Sequence, residues 1–125
     1  MHTRYNDIPP YITKDGSSIR ELMHPAQHGN RHQSLAEATV PVGTRTRLHR
    51  HDRSEEIYYI LAGEGLMTLG GLSFHVAEGD SVCIAPGTAH CIANVGGVPL
   101  RILCACAPAY AHGDTTVIED APPHG

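Results

Sequence analysis

Apolar and polar residues alternate in short runs through the middle of the chain, and glycine or proline separates one run from the next. A period of two marks a half-buried strand, because successive side chains leave opposite faces. The pattern predicts strands over 33–40, 44–51, 56–62, 65–69, 72–77, 80–85, 90–95 and 99–107. Gly70-Gly71, between two of these runs, suits a two-residue hairpin turn that needs positive φ. Helix-period patterns are scarce, and 18–24 reads as a further strand. Many short strands with Gly and Pro punctuation predict an all-β antiparallel sandwich or barrel in a single domain. The core is expected over 33–108. Residues 1–32 are expected to form an N-terminal arm with strands, packed on the barrel or across a dimer, and 109–125 a C-terminal tail.

Composition narrows the function classes. At 125 residues the chain suits one domain, and folding at this size buries roughly two-thirds of the unfolded surface. Hydrophobic residues make up 41% and charged residues 18%, a globular balance. A net charge of −4 and a pI near 6.2 give no basic footprint for nucleic acid or an anionic membrane. No apolar run is long enough to cross a bilayer. The segment Met1-His-Thr-Arg-Tyr-Asn-Asp7 has no apolar stretch of the signal-peptide kind, so a cytoplasmic protein is expected. Cys83, Cys91, Cys104 and Cys106 form no C-x-x-C pair and are expected as reduced thiols. Cys104 and Cys106 share one face of the last core strand, as small buried residues or as thiols near a metal pocket.

Ten histidines are a clear excess for this length. His49 and His51, one residue apart on an extended chain, point to the same face. Glu56 follows on the next strand, where Tyr58 and Ile60 share its parity; His90, Ile92 and Asn94 form a matching set further on. Imidazoles with a carboxylate suit a divalent first-row metal, and three imidazoles plus one carboxylate leave about two positions of a six-coordinate ion open. Unbroken parity along 44–51 would turn Arg45 and Arg47 inward with the histidines and Thr44 and Thr46 outward. Arg47 is then a candidate carboxylate or phosphate anchor, or an ion-pair partner for Glu37. Tyr58 is a candidate hydrogen-bond or proton donor, or an aromatic wall. His24, His28, His32, His75 and His112 match no such pattern and read as surface residues.

These segments resemble the two motifs of the cupin superfamily. The first, G-x5-H-x-H-x3,4-E-x6-G, is matched by Gly43, His49, His51, Glu56 and Gly63. The second, G-x5-P-x-G-x2-H-x3-N, is matched by Gly79, Gly87, His90 and Asn94, with Ala85 at the proline position and Pro86 after it. The spacing from His51 admits Glu55 or Glu56 as ligand; the motif's interval to Gly63 selects Glu56. The fifteen residues Glu64 to Glu78 between the motifs resemble those of compact single-barrel members. The resemblance implies a cupin double-stranded β-helix, a jelly-roll-like antiparallel barrel. It implies one divalent transition metal per chain (Fe, Mn, Ni, Zn or Cu) on His49, His51, Glu56 and His90. It also implies a symmetric homodimer, with residues 8–22 exchanged or packed across. Function is less constrained, since one fold hosts many reactions. The leading expectation is a mononuclear, dioxygenase-like metalloenzyme acting on a small organic acid or polar metabolite. The alternatives are an isomerase or lyase using the metal as Lewis acid, and a non-catalytic small-ligand binder.

Overall fold

In the computed structural model, which describes residues 1–119, the described residues form eleven strands in chain order. They are β1 (Tyr11–Ile12), β2 (Ser18–Met23), β3 (Ser34–Val40), β4 (His49–His51), β5 (Glu55–Ala62) and β6 (Glu64–Leu69). There follow β7 (Leu72–Ala77), β8 (Ser81–Ile84), β9 (His90–Asn94), β10 (Leu100–Ala107) and β11 (Thr115–Val117). One sheet has the order β1-β2-β3-β10-β5-β8 and the other β11-β4-β9-β6-β7. Every named pairing is antiparallel, and the two sheets face each other as the double-stranded β-helix expected from the motifs. No helix among the described residues is long and apolar enough to cross a membrane.

Alternation explains the placement of the core. Along β10, Leu100, Ile102, Cys104 and Cys106 are buried, while Arg101 and Ala107 are exposed. Along β5, Glu56, Tyr58 and Ile60 are buried, while Glu55, Ile57 and Tyr59 are exposed. The register Ile102↔Ile60, Cys104↔Tyr58 and Cys106↔Glu56 stacks the inward sets. Met67, Ile92, Val40 and Ile84 come in from neighbouring strands to complete the interior, each such side chain adding roughly 1.5–3 kcal/mol of burial. Gly70-Gly71 closes the β6–β7 hairpin with Leu69 opposite Leu72, and Gly70 takes the positive φ of 58° that such turns require.

The strand expected over 44–51 does not run unbroken. Regular pairing survives at His49–His51, and upstream Arg45 makes an isolated bridge to Ala93. The Thr46 hydroxyl accepts from the Ile92 amide at 3.1 Å, a ladder position that a backbone carbonyl would otherwise fill. The Arg47 amide turns away to the Asp15 carbonyl at 2.7 Å. Parity therefore slips: Thr46 is buried at 3% exposure, whereas Arg45 pairs with Glu119 at 3.2 Å near the surface. A one-residue slip exchanges the faces of everything before it.

Both ends of the described chain are built in. β2 pairs with β3 and carries β1 on its outer edge. β11 pairs with β4, setting Thr115 opposite His51. Lys14 Nζ donates to the carbonyls of His112 and Thr115 at 2.8 and 3.2 Å, tying arm to tail. The remainder of the expected tail, 120–125, lies outside the described residues.

Asn94 locks the end of β9. Its amide donates to the carbonyls of Val40 and Val98 at 3.0 and 2.8 Å, and its oxygen accepts from the Gly96 amide at 2.9 Å. Asn94→Ala strips the buried Val40 carbonyl, the part-buried Val98 carbonyl and the Gly96 amide of their partner. It is expected to lower unfolding free energy by about 1–3 kcal/mol, read as a lower urea midpoint at unchanged slope.

Candidate metal centre

β4 is only three residues long, and its alternation buries His49 and His51 while Arg50 faces outward. His90 opens β9 directly opposite His49, so the two rings lie 4.2 Å apart between centroids. Glu56 arrives from the other sheet through β5, between Ile84 and Cys106. His49, His51, Glu56 and His90 are 2%, 4%, 6% and 0% exposed. One ring nitrogen from each histidine lies within 4.8 Å of the others. Glu56 Oε1 sits 3.4 Å from Nε2 of both His51 and His90.

Hydrogen bonds on the outer ring nitrogens decide what the inner ones present. His49 Nδ1–H donates to the Arg47 carbonyl at 2.7 Å and His90 Nδ1–H to the Thr88 carbonyl at 3.0 Å. A carbonyl can only accept, so in the neutral rings the proton sits on Nδ1 and Nε2 carries a lone pair. His51 Nδ1 meets Thr115 Oγ1 at 3.0 Å, and that hydroxyl gives its own proton to the Ala111 carbonyl at 2.9 Å. Thr115 must therefore accept from His51, which leaves the third Nε2 unprotonated as well.

The result is an electron-rich cluster shielded from water. Glu56 Oε1 and His90 Nε2 have no hydrogen-bond partner among the described residues. Burial, then the nearby His90, lowers His49 from its ordinary range and favours the neutral ring. Burial alone would raise the Glu56 carboxyl; a positive charge facing Oε1, from a protonated His51 or His90 when no ion is present, holds it down to about 2. Buried lone pairs facing an anionic oxygen are costly unless a cation sits among them. Imidazole nitrogen with carboxylate oxygen is a set that divalent transition metals accept. These residues fit such an ion.

A narrow cavity adjoins the cluster and offers ≈ 40 Å³ to water-sized molecules, enough for a few at roughly 10–15 Å³ each. Ile19, Ala38, Val40, Ile92 and Ile102 form an apolar side; Asp15, Glu21, Ser34 and Tyr110 are among the polar groups. Tyr58 also lines it, buried at 4%, with its ring 6.0 Å from that of His90. Burial and then Glu56 push the Tyr58 phenol well above its ordinary range, so it keeps its proton. Arg47 does not line this cavity. It is half-buried, its Nε has no partner among the described residues, and Thr46 occupies the wall instead.

Glu55 is exposed, while Cys106 Sγ–H reaches Glu56 Oε2 at 3.3 Å. All four cysteines are free thiols, and only Cys83 is exposed. His32, His75 and His112 are exposed; His24 and His28 are half-buried, away from the cluster. Sequence reasoning missed Asp15, whose Oδ2 lies 3.6 Å from His49 Nε2. It also missed Glu21, Tyr110 and Thr115. The Asp15-Gly16 dipeptide signalled a turn but not where the turn would dock. Thr115→Val keeps the shape but removes the acceptor that orients His51. A loss of metal affinity of about 10–100-fold is expected, measured by competition with a chromophoric chelator.

With the geometry in hand, likeness to other proteins places the chain. A cupin-domain family model matches residues 36–106. An uncharacterised protein of Methanocaldococcus jannaschii is 58% identical over 119 residues, covering 95% of both chains. An oxalate-binding protein of Thermotoga maritima is 34% identical over 84 residues, covering 67% of this chain and 65% of that one. Among solved structures, a predicted oxalate decarboxylase from Thermotoga maritima superposes with a TM-score of 0.76 at 27% identity. It covers 86% of this chain and 99% of that one. The family match spans most of the barrel and holds both motif segments, so the chain belongs to the cupin family.

Proposed function

We propose that the protein is a mononuclear metalloenzyme holding one divalent transition metal on His49, His51, Glu56 and His90, and acting on a small organic acid or polar metabolite. The carrying observation is the buried convergence of three Nε2 lone pairs and the Glu56 carboxylate, with Glu56 Oε1 and His90 Nε2 otherwise unpartnered. Fe, Mn, Ni, Zn and Cu all tolerate this donor set, and affinity order alone does not select among them. When bound, the ion would supply Lewis acidity and, as iron, a route for dioxygen chemistry. The chain's own groups do the rest. The apolar side of the cavity limits how many waters can accompany a ligand, and Tyr58 keeps a phenolic proton there to donate to a ligand oxygen. The name of the Thermotoga maritima oxalate-binding relative supports a small ligand that binds through oxygen.

The reaction class proposed is dioxygenase-like. The second reading, isomerase or lyase chemistry, is favoured by the phenol and carboxyl groups that share the cavity, Tyr58 with Asp15 and Glu21, as groups able to exchange protons with a ligand. Elemental analysis of the purified protein, anaerobic Fe(II) loading and an oxygen electrode with a panel of small acids test both. Substrate-dependent oxygen uptake is expected, and turnover without uptake would move the assignment to the second reading. His51→Ala is expected to lose the metal and at least about 100-fold in turnover; full activity without metal would refute the metalloenzyme.

We also propose a homodimer through the outer face of the β3-β10-β5 sheet. Leu35, Ile57 and Tyr59 are 36%, 45% and 43% exposed there, with Leu103 and Ala105 between them in register. Contiguous exposed apolar side chains of this kind mark interaction surfaces. Tyr59→Glu is expected to shift sedimentation from dimer to monomer with the metal retained.

A further inference from the structure

Glu21, on β2, is a buried acid with half of its hydrogen-bonding capacity unused. It is 5% exposed, and Oε2 accepts from the Tyr11 hydroxyl at 3.1 Å. Oε1 is shielded from solvent and has no partner among the described residues. Glu21 lines the same cavity as His49, His51 and Glu56. With Tyr11 and Tyr110 it also lines an outer cleft bounded by His24, Gln27 and His112. Tyr11, Glu21 and Tyr110 thus border both the cleft and the cavity.

The charge on the cavity wall limits what such a ligand can be. Asp15, Glu21 and Glu56 line it, and no lysine or arginine does so among the described residues. Asp15 Oδ1 is already met by Thr13 Oγ1, the Ser17 amide and the Ser17 hydroxyl at 2.6, 2.9 and 2.6 Å. Asp15 Oδ2 faces His49 Nε2 at 3.6 Å and Glu56 Oε1 belongs to the metal cluster, so the fully shielded, unmet acceptor on this wall outside that cluster, among the described residues, is Glu21 Oε1. An unpartnered buried carboxylate oxygen is unfavourable, and an ammonium or hydroxyl of a ligand relieves it with a charge-assisted hydrogen bond. A second carboxylate would instead enter an acidic wall with no basic side chain to receive it.

We propose that Glu21 Oε1 recognises a hydrogen-bond donor on the ligand, so that the cavity selects small amino or hydroxy acids over dicarboxylates. The ligand's carboxylate faces the metal centre and its amine or hydroxyl faces Glu21. This rests on the metal-binding reading given above, and it narrows that reading's substrate class.

The test uses the full chain loaded with Co(II), with loading measured by elemental analysis and ligand binding followed by the visible bands of the ion. β-Alanine, γ-aminobutyrate and 3-hydroxypropionate are titrated against malonate and succinate. At least one amino or hydroxy acid is expected to bind about tenfold or more tightly than the dicarboxylate of matched length. The amine and hydroxyl arms identify which donor Glu21 takes. Glu21→Gln is expected to remove the preference at unchanged Co(II) content. Should that variant unfold, Glu21→Asp withdraws the same oxygen by one methylene and is expected to weaken the preferred ligand by a similar factor. Dicarboxylates binding as tightly or more tightly, no binding by any amino or hydroxy acid, or an unchanged order in the Glu21 variant would each overturn the inference with the metal reading intact. Failure of Co(II) to load would instead overturn the metal reading on which it stands.

Discussion

Four electron-pair donors turned toward one buried point are the constraint around which this barrel is arranged. Each donor costs free energy to bury, and no group among the described residues offers Glu56 Oε1 or His90 Nε2 a hydrogen bond. Proton placement makes the arrangement specific. Backbone carbonyls of Arg47 and Thr88 and the Thr115 hydroxyl each take an Nδ1 proton, so every inner nitrogen presents a lone pair. A cation turns this concentration of acceptors from a destabilising feature into a binding site.

Satisfying that constraint draws on both sheets and both ends of the described chain. β4 and β9 supply the imidazoles from one sheet, and β5 supplies the carboxylate from the other. The N-terminal arm brings Asp15 beside His49, while the C-terminal segment brings Thr115 beside His51 and Tyr110 edge-on to it, 5.7 Å between ring centroids. Lys14 bonds the arm to the tail across almost the whole length of the described sequence. The cavity is thus closed by segments that lie outside the two motifs. Any ligand entering the cavity would meet these closing segments as well as the barrel, so members sharing the motifs need not share a substrate.

The strands were legible because alternation is a local property. Residues 56–62 and 99–107 show period two on their face, and the observed β5 and β10 keep that parity. Gly70-Gly71 was legible for the same reason, since a two-residue turn needs only its own backbone freedom. The stretch 44–51 was misread because its parity depends on distant partners. The Thr46 hydroxyl bonds to Ile92 and the Arg47 amide to Asp15, and neither contact leaves a trace in the local pattern.

By itself the sequence determined the barrel, the facing of His49, His51, Glu56 and His90, and the kind of ion that such donors accept. Those features follow from periodicity and from the chemistry of side chains fixed at set spacings. Tertiary structure alone decided which further groups reach the cavity, with Thr46 in the wall instead of Arg47, and Asp15, Glu21 and Tyr110 brought in from the ends. It also decided the tautomers, since the partner of His51 lies sixty-four residues away on β11. Docking of one segment on another depends on shape and hydrogen bonding summed over the whole fold, and no short window of sequence carries that sum.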